Sequence, residues 1–171
     1  MGEARLENGV PQDDGWFVVN ARDSRWAWNG MGGYCPFEGD DEARFRDLAI
    51  NLNWLHPGKP MTMYHEEAGE EGFLVLAGEC LLIVEGQERR LRQWDFFHCP
   101  PWAAHVILGA GDGPSLVLAV GARGKKGLRY PADETAVKHG AGVEQETTSP
   151  EDAYARFSEL QEGPPPDLPT Y

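Results

Sequence analysis

Between positions 65 and 71 the chain reads HEEAGEE, one histidine (His65) and four glutamates (Glu66, Glu67, Glu70 and Glu71), and the apolar run GFLVLAG follows at once. Imidazole and carboxylate are ligand types that divalent transition metals accept, and a carboxylate can also act as a general base. The acids have two destinations open to them. They can decorate a solvated hairpin turn, or some can point inward and hold a metal. An unpartnered glutamate buried at the start of a strand costs on the order of several kcal/mol, a cost that a cation removes.

Other residues with reactive side chains carry less. His98 and Cys99 are adjacent, and alternation along a strand sends neighbours to opposite faces, so they do not act together. Cys99 reads as a small core residue and Asp95 as a turn residue. His56 sits in a turn and His139 at a helix end, and neither receives a role. Trp54, Phe73 and Trp102 read as core or interface aromatics. The glycines at 30, 32 and 33 are not followed by Lys-Ser/Thr, so no phosphate loop is present.

The elements that must position these groups are short strands. In RDLAINLNWL, Leu48, Ile50, Leu52 and Trp54 share one face while Asp47, Asn51 and Asn53 share the other, the period of a half-buried strand. Strands are expected over 61–66, 72–77, 79–85, 88–92, 95–99, 104–108 and 115–121, broken at Gly69, Gly78, Gly86, Pro100-Pro101 and GAGDGP. VEGQERRL predicts a tight hairpin around Gly86. Upstream, residues 1–14 read as a loose arm, GWFVVN (15–20) as a short strand and 21–45 as an irregular loop. Downstream, YPADETAVKHGA and TSPEDAYARF predict two short helices, the second capped by Ser149 with Pro150 at its first position. The end is extended and Pro-rich. The organisation expected is an N-terminal arm, strand and loop (1–45), a barrel (46–122) and a C-terminal extension (123–171).

Bulk properties narrow the class. A chain of 171 residues with 41% hydrophobic content has enough material for a core. A formal charge of −13 repels phosphate backbones, so nucleic acid is not an expected partner. Apolar runs too short to span a bilayer and a polar N-terminus predict no membrane association and a cytoplasmic location. Three cysteines (Cys35, Cys80, Cys99) without metal-type spacing fit a reducing compartment.

The spacing around the acidic cluster is more specific. Gly58 precedes it, and Glu71 is followed by six residues and Gly78; after fifteen more residues comes WDFFHCPPWAAHVILG, in which Pro100, Trp102 and His105 keep a fixed interval. Over roughly residues 46 to 122 this resembles the cupin family of small jelly-roll barrels. Its first motif has Gly, His-x-His, Glu and Gly, and its second has Gly, Pro-x-Gly, His and Asn. The resemblance implies an all-β, cupin-type jelly-roll barrel with short C-terminal helices, and a metal held inside it by the histidines and glutamate of the first motif and the histidine of the second.

The chain departs from that pattern. It has one histidine where the first motif has two, so two registers compete: Tyr64 and Glu66, or, after a slip of one residue, His65 and Glu67, take the histidine positions. A slip of one flips every side chain in the strand, so only one set faces in. The slipped register gives the better donors, so the expected metal ligands are His65, Glu67, Glu71 and His105, with Glu66 pointing to water. Zn, Fe, Mn and Ni all accept such a set. In the second motif Trp94 and Trp102 stand at glycine positions and Gly109 at the Asn position, changes that affect turns rather than ligands.

A two-histidine, one-carboxylate set with an open position suits dioxygenase-type oxidation or sugar or keto-acid isomerisation, with Glu67 or Glu71 doubling as a base. The alternative is a non-catalytic module that binds a small metabolite in the barrel, or a structural one. A small-molecule ligand and a homodimer are the expected partners, the latter because an apolar outer sheet face calls for a two-fold mate.

Overall fold

The computed structural model describes residues 1–170. Its strands are β1 (Leu6–Glu7), β2 (Val10–Pro11), β3 (Trp26–Trp28), β4 (Gly32–Pro36), β5 (Leu48–Leu55), β6 (Glu66–Glu67), β7 (Glu71–Ala77), β8 (Glu79–Val84), β9 (Gln87–Arg92), β10 (Phe96–Cys99), β11 (His105–Ala110), β12 (Ser115–Ala122), β13 (Leu128–Arg129) and β14 (Gln161–Gly163). Two helices, α1 (Glu134–Lys138) and α2 (Pro150–Tyr154), lie outside them.

Two antiparallel layers form a jelly roll. One sheet runs β10-β7-β12-β5-β4-β3-β14 and the other β11-β8-β9. Bridges Pro57 to Gly109, Pro60 to Leu108 and His65 to His105 lay the segment before β6 along the free edge of β11, and β6 pairs with β13. Among the described residues the two layers are not joined into one closed ring of hydrogen bonds; they face each other across a core of Leu55, Phe73, Val75, Cys80, Leu82, Cys99, Ile107 and Val117.

Local signals are realised where they are strong. Glu85 and Gly86 both take positive φ (49° and 69°) in a two-residue hairpin between β8 and β9, whose strands then fall into register from Val84 with Gln87. Ser149 caps α2 by accepting from the Asp152 amide, with Pro150 at the first position. Asp95 closes the β9–β10 turn by accepting from the Arg92 amide. At Gly109 a Cβ would meet the His56 carbonyl oxygen at 2.4 Å, so glycine there lets the 56–60 segment lie against β11.

Four expectations are corrected. Of the strand expected over 61–66 only Glu66 lies in a strand, β6, and His65 forms an isolated bridge. Residues 15–20 form no strand, only a bridge at Trp16 with Glu3. The loop read as irregular contains β3 and β4, which extend the large sheet beyond β5. The arm at 1–14 is not loose: β1 and β2 pair, and Ala4 is buried. For β1 to β4 the pairing partner is distant in sequence or the strand too short for periodicity to register.

The two extensions also decide which face of β5 is apolar core. Leu52 and Trp54 pack outward with Trp26, Cys35, Leu116 and Leu168, the last a residue of the Pro-rich end. The asparagine face turns into the jelly roll, where Asn53 is buried and its Nδ2 donates to Asn51 Oδ1 at 2.6 Å. Removing the Leu52 side chain from that outer cluster would cost about 2–4 kcal/mol.

Candidate metal centre

His65 and His105 are placed by one backbone pair. The His65 amide donates to the His105 carbonyl (3.1 Å) and the His105 amide to the His65 carbonyl (2.8 Å), so both rings leave their strands on the same inner face, centroids 4.8 Å apart. Each Nδ1 lies against a main-chain carbonyl two residues earlier, His65 on Met63 at 2.8 Å and His105 on Ala103 at 3.0 Å. A carbonyl only accepts, so each Nδ1 carries the proton and each Nε2 is left with its lone pair.

Both lone pairs face Glu71, at the start of β7. Its Oε2 is 3.3 Å from His105 Nε2 and 3.9 Å from His65 Nε2. Donor atoms of the three residues all lie within 4.8 Å of one another. Glu71 Oε2 and His105 Nε2 are buried without a hydrogen-bond partner; among the described residues Thr62 Oγ1 is the third such atom. A cation about 2.1 Å from each of two donors holds them at most about 4.2 Å apart, so the two contacts to Glu71 are of the right size. The cluster could hold a divalent transition metal: it supplies two orphaned lone-pair donors and fixed imidazole tautomers.

Electrostatics in the metal-free site favour neutral groups. Burial, reinforced by the nearby Glu67 carboxylate, pushes the Glu71 carboxyl up to about 8. Burial, then the charge of His65, pushes His105 down to about 4. Burial also lowers His65, against the opposing hydrogen bond to Met63. The pair Glu71–His105 is therefore not an ion pair despite its 3.3 Å separation, because neither charge is solvated.

The other expected residues are placed as follows. Glu67 lies outside the His65–Glu71–His105 group; its half-buried carboxyl is raised by burial and sits close enough to raise Glu71. Tyr64, its competitor register, is buried in a different cluster with Ile83, Val106 and Ala136, its hydroxyl accepting from the Gly86 amide. Glu66 does not point to water. It is buried and ion-paired with Arg129 of β13, a partner that arrives from 63 residues away. His98 faces outward and pairs with Glu70 at 2.7 Å, while Cys99 faces in, its Sγ 3.2 Å from His105 Nδ1. Burial, then the acid charges of Glu71 and Glu67, push the Cys99 thiol up to about 12, so it is not a thiolate. Trp94 and Trp102, at the glycine positions of the second motif, keep the left-handed backbone of those positions (φ 74° and 67°).

Some supporting residues have no sequence signal. The carbonyls of Met63 and Ala103 are main-chain groups that any residue would provide. Tyr154 of α2 accepts the Met63 amide (3.1 Å) and stands edge-on to Tyr130, whose ring is 6.2 Å from His65. Thus the C-terminal extension braces the segment that carries His65.

A jelly roll with a buried histidine and glutamate cluster on its inner face defines the class, and the sequence agrees. The Cupin domain family model matches residues 54–121 of the chain. Solved structures similar to it include a proposed sugar phosphate isomerase from Acidithiobacillus ferrooxidans, 29% identical over 54% of this chain and 61% of that one, TM-score 0.48. A cupin 2 domain-containing protein from Halorhodospira halophila is 17% identical over 64% of this chain and 75% of that one, TM-score 0.52. A polyketide cyclase from Streptomyces resistomycificus is 12% identical over 82% of this chain and 92% of that one, TM-score 0.59. The chain spans about three-fifths of the length of the first of these. No curated protein matches the chain. Among the described residues no helix is long and apolar enough to cross a membrane.

Proposed function

We propose that the protein is a cytoplasmic, metal-dependent enzyme acting on a small organic molecule held in the jelly roll, with His65, Glu71 and His105 as ligands. The observation that carries this reading is the pair of Nδ1–carbonyl hydrogen bonds. They spend energy fixing two imidazoles so that both Nε2 atoms face one carboxylate in a buried site, an arrangement that leaves polar atoms orphaned unless a cation is present. Three free, buried thiols fit a reducing compartment.

When bound, a divalent metal would act as a Lewis acid toward a substrate carbonyl, enol or hydroxyl oxygen. The chain supplies the rest. Phe73 and Phe97, with ring centroids 5.3 and 5.8 Å from His105, exclude water from one side of the site. Glu67 is near the cluster but outside it, and its raised pKa suits a group that takes up and returns a proton. Fold relatives at 12% and 17% identity pass on architecture and no reaction, so oxidation and isomerisation both fit this site.

The test is metal analysis of protein purified without a histidine tag, followed by oxygen uptake and isomer formation with candidate hydroxy-carbonyl compounds. Stoichiometric metal together with substrate-dependent turnover supports an enzyme. Metal without turnover supports the second reading, a small-metabolite-binding module. A homodimer belongs to the same proposal. Phe96, Leu74, Leu118 and Val120 line a hollow on the outer face of the large sheet, Phe96 at 65% exposure, which suits a two-fold mate.

A further inference from the structure

A second feature of the interior lies apart from the metal cluster. On the side of the jelly roll where β4 and the 57–65 segment do not pair, a cavity of about 310 Å³ opens between the layers. Asn53, Tyr34 and Leu55 line it from the inner face of the large sheet, Met61 from the opposite layer, and Tyr154 and Leu160 from the C-terminal extension. None of its lining residues is Lys, Arg, His, Asp or Glu. Arg123 and Arg44, whose charges reach Tyr34, are both engaged with Glu38.

Asn53 is the informative residue. It is 7% exposed, and one Nδ2 hydrogen is committed to Asn51 Oδ1 at 2.6 Å. That bond sets the amide plane and leaves Oδ1 and the second N–H for an occupant. An asparagine with spare hydrogen-bonding capacity on the inner face of a strand, beside Met31, Leu55 and Met61, is a polar anchor in a mostly apolar space whose other polar side chains are Asn29, Tyr34 and Tyr154. A charged ligand would lose its hydration there and find no counter-ion.

We infer that this cavity binds an uncharged, mostly apolar small molecule whose carbonyl, amide or hydroxyl group pairs with Asn53. Phosphorylated and carboxylate-bearing compounds are excluded from it. The inference deepens the reading of the protein as a small-molecule enzyme by naming the class of ligand. The cavity shares its apolar wall with the metal cluster, since Leu55 and Met61 pack with Phe73, whose ring lies against His105. None of His65, Glu71 and His105 lines it, so occupancy does not require the metal.

Benzamide and benzoate are nearly isosteric and differ in charge, which makes them the probe pair. The full chain, labelled with ¹³C at the methionine methyls, is titrated with each. Of the four methionines, Met31 and Met61 line the cavity, and the exposed Met1 is the control. Benzamide is expected to shift Met31 and Met61 saturably and leave Met1 unmoved, with benzoate at least about tenfold weaker. Asn53→Leu is expected to weaken benzamide about tenfold, its melting curve serving as the fold check. The titration is repeated after chelator dialysis, and binding should persist. Absence of any shift at Met31 and Met61, binding of benzoate equal to or tighter than benzamide, or loss of benzamide binding on chelation each overturns the inference. Because binding and metal content are read separately, failure of one reading leaves the other to stand or fall on its own data.

Discussion

The amides and carbonyls of His65 and His105 exchange two hydrogen bonds, at 2.8 and 3.1 Å, so the two rings share one inner face. Residues 40 apart in sequence are thus held as a single antiparallel pair, and donor atoms placed by such a bridge tolerate little displacement. His65→Ala and His105→Ala are each expected to lower metal content at least tenfold, because each leaves one imidazole and one carboxylate. Glu71→Gln should also lose metal, while keeping its volume. Elemental analysis of the three variants beside the wild type checks this; retention of full occupancy by any of them removes that residue from the site.

Glu66→Gln separates the two registers. The Glu66–Arg129 pair is buried on the Glu66 side but half exposed at Arg129, so its loss should cost about 1–2 kcal/mol rather than the larger figure for a fully buried pair. Metal content should be unchanged. Chemical denaturation and elemental analysis of the same preparation provide the two numbers, and a metal-free Glu66→Gln protein would restore the Tyr64/Glu66 register.

The pH dependence of the metal-free protein follows from two shifts of opposite sense. Glu71 titrates near 8 when folded against 4.5 ordinarily, so its contribution to stability is complete below 4.5 and is lost as pH rises through 8. His105 titrates near 4 against 6.5, so its contribution is complete above 6.5 and is lost as pH falls through 4. Between 4.5 and 6.5 the two slopes oppose each other, the lowered His65 acting in the sense of His105 and the raised Glu67 in the sense of Glu71. Chelator-treated protein should therefore lose melting temperature from pH 6.5 to 8, and added Zn²⁺, which displaces the Glu71 proton, should reverse that loss. A melting temperature that climbs over the same interval in the metal-free protein would show Glu71 already ionised.

Trp94 is exposed and left-handed, a backbone state that costs a residue with a Cβ about 1–2 kcal/mol. Trp94→Gly and Trp94→Ala remove the same ring. The glycine variant is expected to be more stable than the alanine variant by about 1 kcal/mol, since only glycine relieves the backbone. Equal denaturation midpoints for the two would show that the turn relaxes without it.

Phe96→Asp tests self-association without touching the core, because the side chain is already exposed. Sedimentation of the wild type should give a dimer at micromolar concentration and the variant a monomer. A monomeric wild type assigns the outer face to solvent or to another partner.

Some of this protein is written locally. Period-two strands, the Glu85-Gly86 hairpin, the Ser149 cap and the positions of Glu71 and His105 in two spaced motifs depend on a few neighbouring residues. The sequence alone therefore carried them, together with the all-β class. It could not say which face of β5 is inside. Alternation is symmetric between faces, and the leucine face turned outward only because β3, β4 and the chain near Leu168 came to cover it. Glu66 looked solvated until Arg129 arrived beside it. The choice of His65 rather than Tyr64 for the interior required His105 to dock on the same bridge. Burial of a polar or apolar face is a property of whatever lies opposite, and contacts across such sequence distances exist only once the chain has folded.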